Sequence, residues 1–287
     1  MTRRTLLATP ILAAQAAPTV FQMACMTLPF ASFSLDRALK GIRSAGYRHV
    51  AWGVSHEKQP LLRVDADPRA ANLLSRKCRE MGLDPVMMFA TTNLEAPDAV
   101  DAHRRRIDQA SAARIPFLLT FGKTTATDRA TFVHSLKSIA AHAAQTGVTV
   151  VIKQHGGNTA TGAQCAGILT EVGHPSIKIC YDAGNVLDYE KQDPIADIQK
   201  CWRDIRAFNI KDHRNTPKDE DCGPGFGEID HYKLLAPVMN TGLTIPLTFE
   251  NIFEPLVPRP GTPEAIDLLA RRAREYIETV VNGLRTQ

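Results

Sequence analysis

The chain has 287 residues and a formal net charge of only +4, too small a basic excess for a nucleic-acid-binding surface. Its six cysteines form no Cys-x-x-Cys pair, which excludes a thioredoxin-type or zinc-ribbon motif. No internal repeat, low-complexity segment or linker divides the sequence, so we expect one domain.

The first 17 residues have the pattern of an export signal. Paired arginines at Arg3 and Arg4 precede a short apolar run, and small residues follow at Ala14–Ala17. This order resembles a twin-arginine signal, and the run is too short to span a bilayer. We therefore expect export to a bacterial periplasm and a mature chain that begins near Pro18. The alternative is a frayed N-terminal helix. No other stretch is apolar enough for a membrane span.

Residues 18–287 alternate between strand-like and helix-like segments to the end of the chain. Ser34, Asp67, Asp193 and Thr262 are predicted to cap helices. Eight such units in about 250 residues are typical of a single (β/α)8 TIM barrel in the α/β class. An open doubly wound sheet is less favoured because the first strand lacks a Gly-rich phosphate turn. The predicted strands are Val20–Thr27, His49–Gly53, Asp84–Ala90, Ile115–Gly122, Val148–His155, Ile177–Asn185, Ile205–His213 and Ile245–Asn251.

The last four predicted strands end on polar, ligand-type residues. In this fold the C-terminal strand ends converge on one pocket. Side chains alternate along a strand, so Lys153 and His155 share a face, as do Asn209 and Lys211. The long segment from Arg214 to Asp230 is predicted to be a loop over the pocket without regular structure. The predicted substrate-binding residues are Asp182, Asn185, Asn209, Lys211, His213 and, after the second strand, His56.

These strand-end motifs resemble the xylose isomerase-like TIM barrel family of sugar phosphate isomerases and epimerases. The motifs are V-I-K-Q-H-G-G, C-Y-D-A-G-N, F-N-I-K-D, G-F-G-E-I-D and T-F-E-N. The resemblance covers nearly the whole mature chain. It implies a carbohydrate substrate and a divalent metal held by Glu, Asp, His and Glu, with the two glutamates also moving protons.

The match to that ligand set is partial. Asp182 and Glu250 retain two of the four ligands, Asn209 stands at the histidine and Lys153 stands at the first glutamate. A charged lysine has no lone pair for a cation and would repel it. We therefore predict no tightly bound cofactor. Weak binding of Mn²⁺ or Mg²⁺ by Asp182, Asn209 and Glu250 stays open.

The same residues suggest a proton-transfer enzyme in which Lys153 supplies the positive charge. Glu250 would be the base, Lys153 would polarise a carbonyl or stabilise an enolate, and His155 or His213 would be the second acid or base. Epimerisation and aldose–ketose isomerisation of a small keto-sugar both fit. A keto-sugar lyase or glycoside-cleaving enzyme and a non-catalytic periplasmic sugar-binding barrel are the alternatives. Homo-oligomerisation is left open.

Overall fold

The computed structural model describes residues 17–125 and 128–286. The predicted export signal, residues 1–17, falls outside this description except for its last residue.

Eight parallel strands close into one barrel, which confirms the predicted fold. Each strand pairs with its neighbours in sequence, and the first strand pairs with the last, from Val20 opposite Thr244 to Cys25 opposite Phe249. The barrel strands, first to eighth, are Val20–Met26, His49–Trp52, Asp84–Phe89, Phe117–Thr120, Thr149–Lys153, Ile177–Tyr181, Ile205–Ile210 and Thr244–Phe249.

Nine α-helices are found in the described residues. The helices are α1 Leu35–Ser44, α2 Pro68–Glu80, α3 Ala99–Ala113, α4 Arg129–Thr146, α5 Gly162–Val172, α6 Ala183–Glu190, α7 Pro194–Ile198, α8 His231–Leu235 and α9 Pro263–Arg285. The hydroxyl of Ser34 and the carboxylates of Asp67 and Asp193 accept hydrogen bonds from the backbone at the starts of α1, α2 and α7, as predicted. Thr262 precedes α9 without such a side-chain bond.

The barrel strands end earlier than the sequence pattern predicted, because their polar ends join other structures. Asp182 and Asn185 do not extend the sixth strand. Asp182 instead caps α6 by accepting from the backbone N–H of Asn185 at 2.9 Å. The segment after Arg214 was predicted to lack regular structure, and this was wrong in part. Asp212–Arg214 pairs with Glu220–Cys222 as an antiparallel ribbon.

The apolar residues form two cores. A small one fills the barrel interior and contains Met26, Met87, Val151 and Cys180. The larger one lies between the strands and the helix ring. Because the interior is filled below by apolar side chains, the polar strand-end residues are held at the C-terminal mouth. Across residues 17–125 and 128–286, no helix has the length and apolar character needed to cross a membrane.

Candidate active site

A cavity of about 490 Å³ opens at the C-terminal mouth of the barrel. Its volume is in the range of small-molecule sites. Strand-end and loop residues from across the chain line it together. The polar side chains that matter to its chemistry are Lys153, His155, Asn185, Lys211, Asp221 and Glu250.

Lys153 forms the centre of a buried charge network. Its Nζ atom lies 3.2 Å from Asp182 Oδ2 and 3.2 Å from Glu250 Oε2. Lys153 and Asp182 are almost completely buried, whereas the Glu250 side chain is 17% exposed. The ammonium is thus shared by two carboxylates, and only that of Glu250 reaches the cavity surface.

The carboxylates keep Lys153 charged. Burial by itself lowers the pKa of the ammonium, but the negative charges of Glu250 and Asp182 outweigh it and raise the pKa above its ordinary value. A lysine that stays protonated at neutral pH cannot act as a base or a nucleophile. Its chemistry is that of a fixed positive charge and a hydrogen-bond donor.

Asn209 completes this network as a donor. Its Nδ2 atom donates to Asp182 Oδ2 at 2.8 Å and to Glu250 Oε2, and its oxygen faces the hydroxyl of Thr248 at 3.4 Å. The two carboxylates are acceptors, so this orientation of the amide is the one they require.

The donor set at the barrel centre does not fit a divalent ion. A cation between Asp182 and Glu250 would meet the Lys153 ammonium and the N–H side of Asn209, neither of which offers a lone pair. The metal chemistry that the resemblance implies therefore has no place between these side chains.

Asp182 and Asn185 are held in place from behind by Gln154. The side-chain oxygen of Gln154 accepts from the backbone N–H of Asp182 at 2.8 Å, and its backbone carbonyl accepts from Asn185 Nδ2 at 2.6 Å. Asn185 Oδ1 is buried and accepts no hydrogen bond from any residue that the structure describes. Because a buried acceptor without a partner is costly, this oxygen is suited to a ligand hydroxyl.

His155 presents one ring nitrogen for proton transfer. Its Nδ1 atom donates to the carbonyl of Gly122 at 3.2 Å, which leaves the lone pair on Nε2. The ring lies against Phe121, with centroids 4.3 Å apart, and close to Tyr189. Burial and the charge of Lys153 lower the pKa of His155, so the imidazole is neutral at pH 7.

Lys211 forms the opposite wall with a loop carboxylate. Its ammonium pairs with Asp221 on the ribbon. Burial lowers the pKa of Lys211, but the charges of Asp182, Glu250 and Asp221 raise it well above its ordinary value. The stem of Lys211 crosses Gly184, where an added Cβ would lie 2.7 Å from Lys211 Cε. Glycine at this position therefore makes room for the lysine.

Four predicted site residues do not line the cavity. Asp182 and Asn209 are buried in the Lys153 network instead. His213 is 1% exposed and lies behind Asp221, to which its Nδ1 atom is hydrogen-bonded at 3.1 Å. His56 is buried beside the carbonyl of Phe33, at 2.9 Å from Nδ1. Both histidine predictions were based on strand position alone, and the chain turns at each histidine into a short two-stranded ribbon.

Sequence reasoning missed many residues of the lining, among them the polar side chains of Asp221, Tyr189 and Arg259. All three follow the barrel strands in loops or helices, where alternation gives no information. The charged run Lys218-Asp219-Glu220-Asp221 was the available signal, since it interrupts a Gly- and Pro-containing loop.

A second cavity of about 620 Å³ opens between α3 and residues 54–65. Lys58, Arg63, Arg105 and Arg106 line it together with Asp65, Asp98 and Asp101, so most of its positive charges face carboxylates. It contains none of the strand-end residues and no paired acid and base at a barrel mouth.

The chain belongs to the xylose isomerase-like TIM barrel family, whose profile matches residues 39–272. This membership confirms the resemblance seen in the motifs. No curated protein sequence matches the chain.

Three solved structures illustrate the likeness. An L-ribulose 3-epimerase is 17% identical, with a TM-score of 0.71, over 94% of this chain and 96% of the other. A xylose isomerase-like TIM barrel/4-hydroxyphenylpyruvate dioxygenase fusion protein is 21% identical, with a TM-score of 0.68, over 91% of this chain but only 44% of the fusion protein. A probable 3-DHS dehydratase from Bacillus anthracis is 14% identical, with a TM-score of 0.66, over 89% and 99%. Likeness at these identities shows the fold.

Proposed function

We propose that this protein is an isomerase or epimerase that moves a proton on the carbon beside the carbonyl group of a small keto-sugar. The observation that carries the proposal is the Lys153–Glu250 pair at the cavity floor, with Nζ 3.2 Å from Oε2. It sets a carboxylate base beside a permanent positive charge in a site for small molecules. The epimerase among the structural neighbours supports the reaction class.

Each step of the reaction has a residue suited to it. Glu250 takes the proton from carbon, and the C–H electron pair forms a C=C bond while the carbonyl electrons move onto oxygen. The Lys153 ammonium stabilises that oxyanion, as a preorganised cation does in a water-poor site. His155 Nε2 is the second proton-transfer group. In isomerisation its lone pair takes the proton of the neighbouring hydroxyl and returns it to the former carbonyl oxygen, while Glu250 returns its proton to carbon. In epimerisation Nε2 first takes a proton from solvent and delivers it to the opposite face of the carbon, and Glu250 releases its own proton to solvent.

The lining favours an uncharged, hydroxyl-rich substrate. The Lys153 charge is neutralised by Asp182 and Glu250, and the Lys211 charge is neutralised by Asp221. In the resting site both buried ammonium groups are thus neutralised, and that of Lys153 is freed for the oxyanion only when Glu250 takes up the proton. The remaining cation of the lining is the exposed Arg259, so the buried part of the cavity is poorly suited to the strong contacts that a phosphate group requires. Asn185 Oδ1 supplies an acceptor for one substrate hydroxyl.

Exchange of carbon-bound hydrogen tests this function. The protein is incubated in D₂O with a panel of unphosphorylated keto-sugars, and deuterium beside the carbonyl is followed by NMR. We expect at least one sugar to exchange and to appear as its epimer or isomer.

The same experiment separates the alternatives. Loss of water from the sugar would instead identify a lyase, a class supported by the fold match to a probable dehydratase. Binding of several sugars without exchange would contradict catalysis and favour a sugar-binding barrel.

A further inference from the structure

Three side chains on the outer side of the ribbon converge without touching the cavity. Asp188 lies in the last turn of α6, His213 lies on the first strand of the ribbon, and Asp219 precedes its second strand. One ligand-type atom from each lies within 4.8 Å of the other two. They face each other across the contact between α6 and the ribbon.

The imidazole of His213 is the informative member of this cluster. Its side chain is 1% exposed, and its Nε2 atom lies 3.0 Å from Asp219 Oδ1 and 4.0 Å from Asp188 Oδ1. Neither contact has the geometry of a hydrogen bond from a ring N–H, so this buried nitrogen has no hydrogen-bond partner among the described residues. A buried polar atom of that kind points to a water or an ion at that position, and the two carboxylates beside it favour an ion.

The other ring nitrogen is already oriented. His213 Nδ1 is hydrogen-bonded to Asp221 Oδ1 at 3.1 Å, which places the proton on Nδ1 and the lone pair on Nε2. Histidines that bind metals almost always make such a bond from the second nitrogen to a carboxylate or carbonyl. The lone pair is therefore directed toward the two remaining carboxylates.

We propose that Asp188, His213 and Asp219 bind a divalent transition-metal ion, for which Zn²⁺ is the best match. One imidazole and two carboxylates are ligands that Zn²⁺ accepts, and three protein ligands leave a position for water. Ligand atoms about 2.0–2.2 Å from a tetrahedral ion lie roughly 3.4 Å apart. The present separations from Nε2, 3.0 Å and 4.0 Å, bracket that value.

Lys191 is the cation that competes for this site. Its Nζ atom lies 2.5 Å from Asp219 Oδ2 and 4.0 Å from Asp188 Oδ1, and it also bonds to Asn215 at 3.1 Å. Asp219 thus offers Lys191 the oxygen that does not face His213. An ion bound between the three ligands would share Asp219 with the ammonium and be repelled by it.

The bound ion would have a structural role at the cavity wall. His213 is hydrogen-bonded to Asp221, and Asp221 is paired with Lys211, which lines the cavity. An ion that joins α6 to the ribbon would therefore hold this wall in position. The site lies beside the cavity, separate from the Lys153–Glu250 pair.

Metal uptake by the full chain tests the proposal. Chelator-stripped protein is dialysed against Zn²⁺, the bound metal is measured by elemental analysis, and the Kd is measured by chelator competition. We expect one Zn²⁺ per chain. Asp188→Asn and Asp219→Asn should each weaken Zn²⁺ binding at least tenfold. Loss of a residue that only hydrogen-bonds to a metal ligand costs about ten- to a hundredfold in affinity, so loss of a ligand itself should cost no less.

The controls separate this site from the barrel centre. Lys191→Met should tighten binding because the competing charge is removed, and it leaves all three ligands in place. Glu250→Gln and Asp65→Asn, a change of an exposed carboxylate paired with Arg63, should leave the Kd unchanged. The proposal is overturned by a wild-type chain that takes up no Zn²⁺, or by uptake that Glu250→Gln abolishes and the Asp188 and Asp219 variants do not.

Discussion

The ammonium of Lys153 lies 3.2 Å from a carboxylate oxygen of Glu250, on the floor of the barrel-mouth cavity. The proposed base is thus paired with a positive charge that belongs to the chain itself. Since the pKa of Lys153 is raised by Glu250 and Asp182, that charge persists throughout the neutral pH range. The proposed proton transfer depends on this pair.

Two substitutions should create at the barrel centre the metal site that the family pattern implies. In an Asp219→Asn background, which weakens the proposed peripheral site by removing one of its three ligands, Lys153→Glu with Asn209→His replaces two donors by two ligands. We expect the triple variant to retain one Mn²⁺ or Co²⁺ per chain after gel filtration, and the Asp219→Asn parent to retain none there. If the parent bound an ion and lost it when Glu250 was changed to Gln, the conclusion that the barrel centre does not fit a divalent ion would be wrong.

Lys153 should control the titration of His155. Burial and the charge of Lys153 lower the pKa of His155, so NMR titration should place it below the unperturbed value of about 6.5. Lys153→Met should raise it, while the pKa of His103, lowered mainly by burial, should not move. If the pKa of His155 were unchanged in Lys153→Met, the charge of Lys153 would have no effect on the imidazole.

The same shift makes stability depend on pH. The folded pKa of His155 is below the unfolded one, so the unfolded chain binds more protons between the two values. The stabilisation is complete above about pH 6.5 and is lost as pH falls through the folded pKa. Urea unfolding of His155→Gln should therefore show a smaller loss of free energy on acidification than the wild type.

Gly184→Ala should damage the cavity more than the fold. An added Cβ would meet the Lys211 stem at 2.7 Å, so the lysine must leave its position beside Asp221. Gly167→Ala in α5 is the matched control, because its nearest neighbour is an arginine tip at 3.1 Å. Gly167→Ala should gain about 0.5–1 kcal/mol of helix propensity, because it lies in the middle of α5, whereas Gly184 lies in the first turn of α6. Only Gly184→Ala should weaken sugar binding. If this variant bound sugar as tightly as the wild type, Lys211 would not form part of the binding site.

We propose that the chain is exported and cleaved near Pro18. The basis is the arginine pair, the apolar run and the small residues of the first 17 positions. N-terminal sequencing of protein from a bacterial host should find the mature end close to Pro18, and Arg3→Lys with Arg4→Lys should retain the precursor inside the cell. A product that keeps its first residues in the wild type would refute export.

The fold and the centre of the site were predictable, since both depend on periodicity. Alternation along the fifth and seventh strands placed Lys153, Asn209 and Lys211 on the cavity side. The signal was lost where the chain left the strands. The charged run that contains Asp221 marks its loop as a candidate, but the local pattern does not show which residue of the run reaches the cavity or that His213 lies behind a ribbon, because both depend on pairing across a loop.

The most direct test of the central claim is a double-mutant comparison of Glu250 and Lys153 in the deuterium-exchange assay. Glu250→Gln keeps the volume and removes the base, and Lys153→Met removes the charge. Loss of a general base costs about a hundred- to ten-thousandfold in rate, and we expect that loss from Glu250→Gln.

Lys153→Met should cause a comparable loss of exchange rate. Because removing one partner of a buried ion pair costs about 3–5 kcal/mol of stability, unfolding measurements must first confirm that this variant is folded. The double variant should lose far less than the product of the single losses, since the two residues act as a unit. Wild-type exchange by Glu250→Gln on a sugar that the wild type turns over would contradict the account.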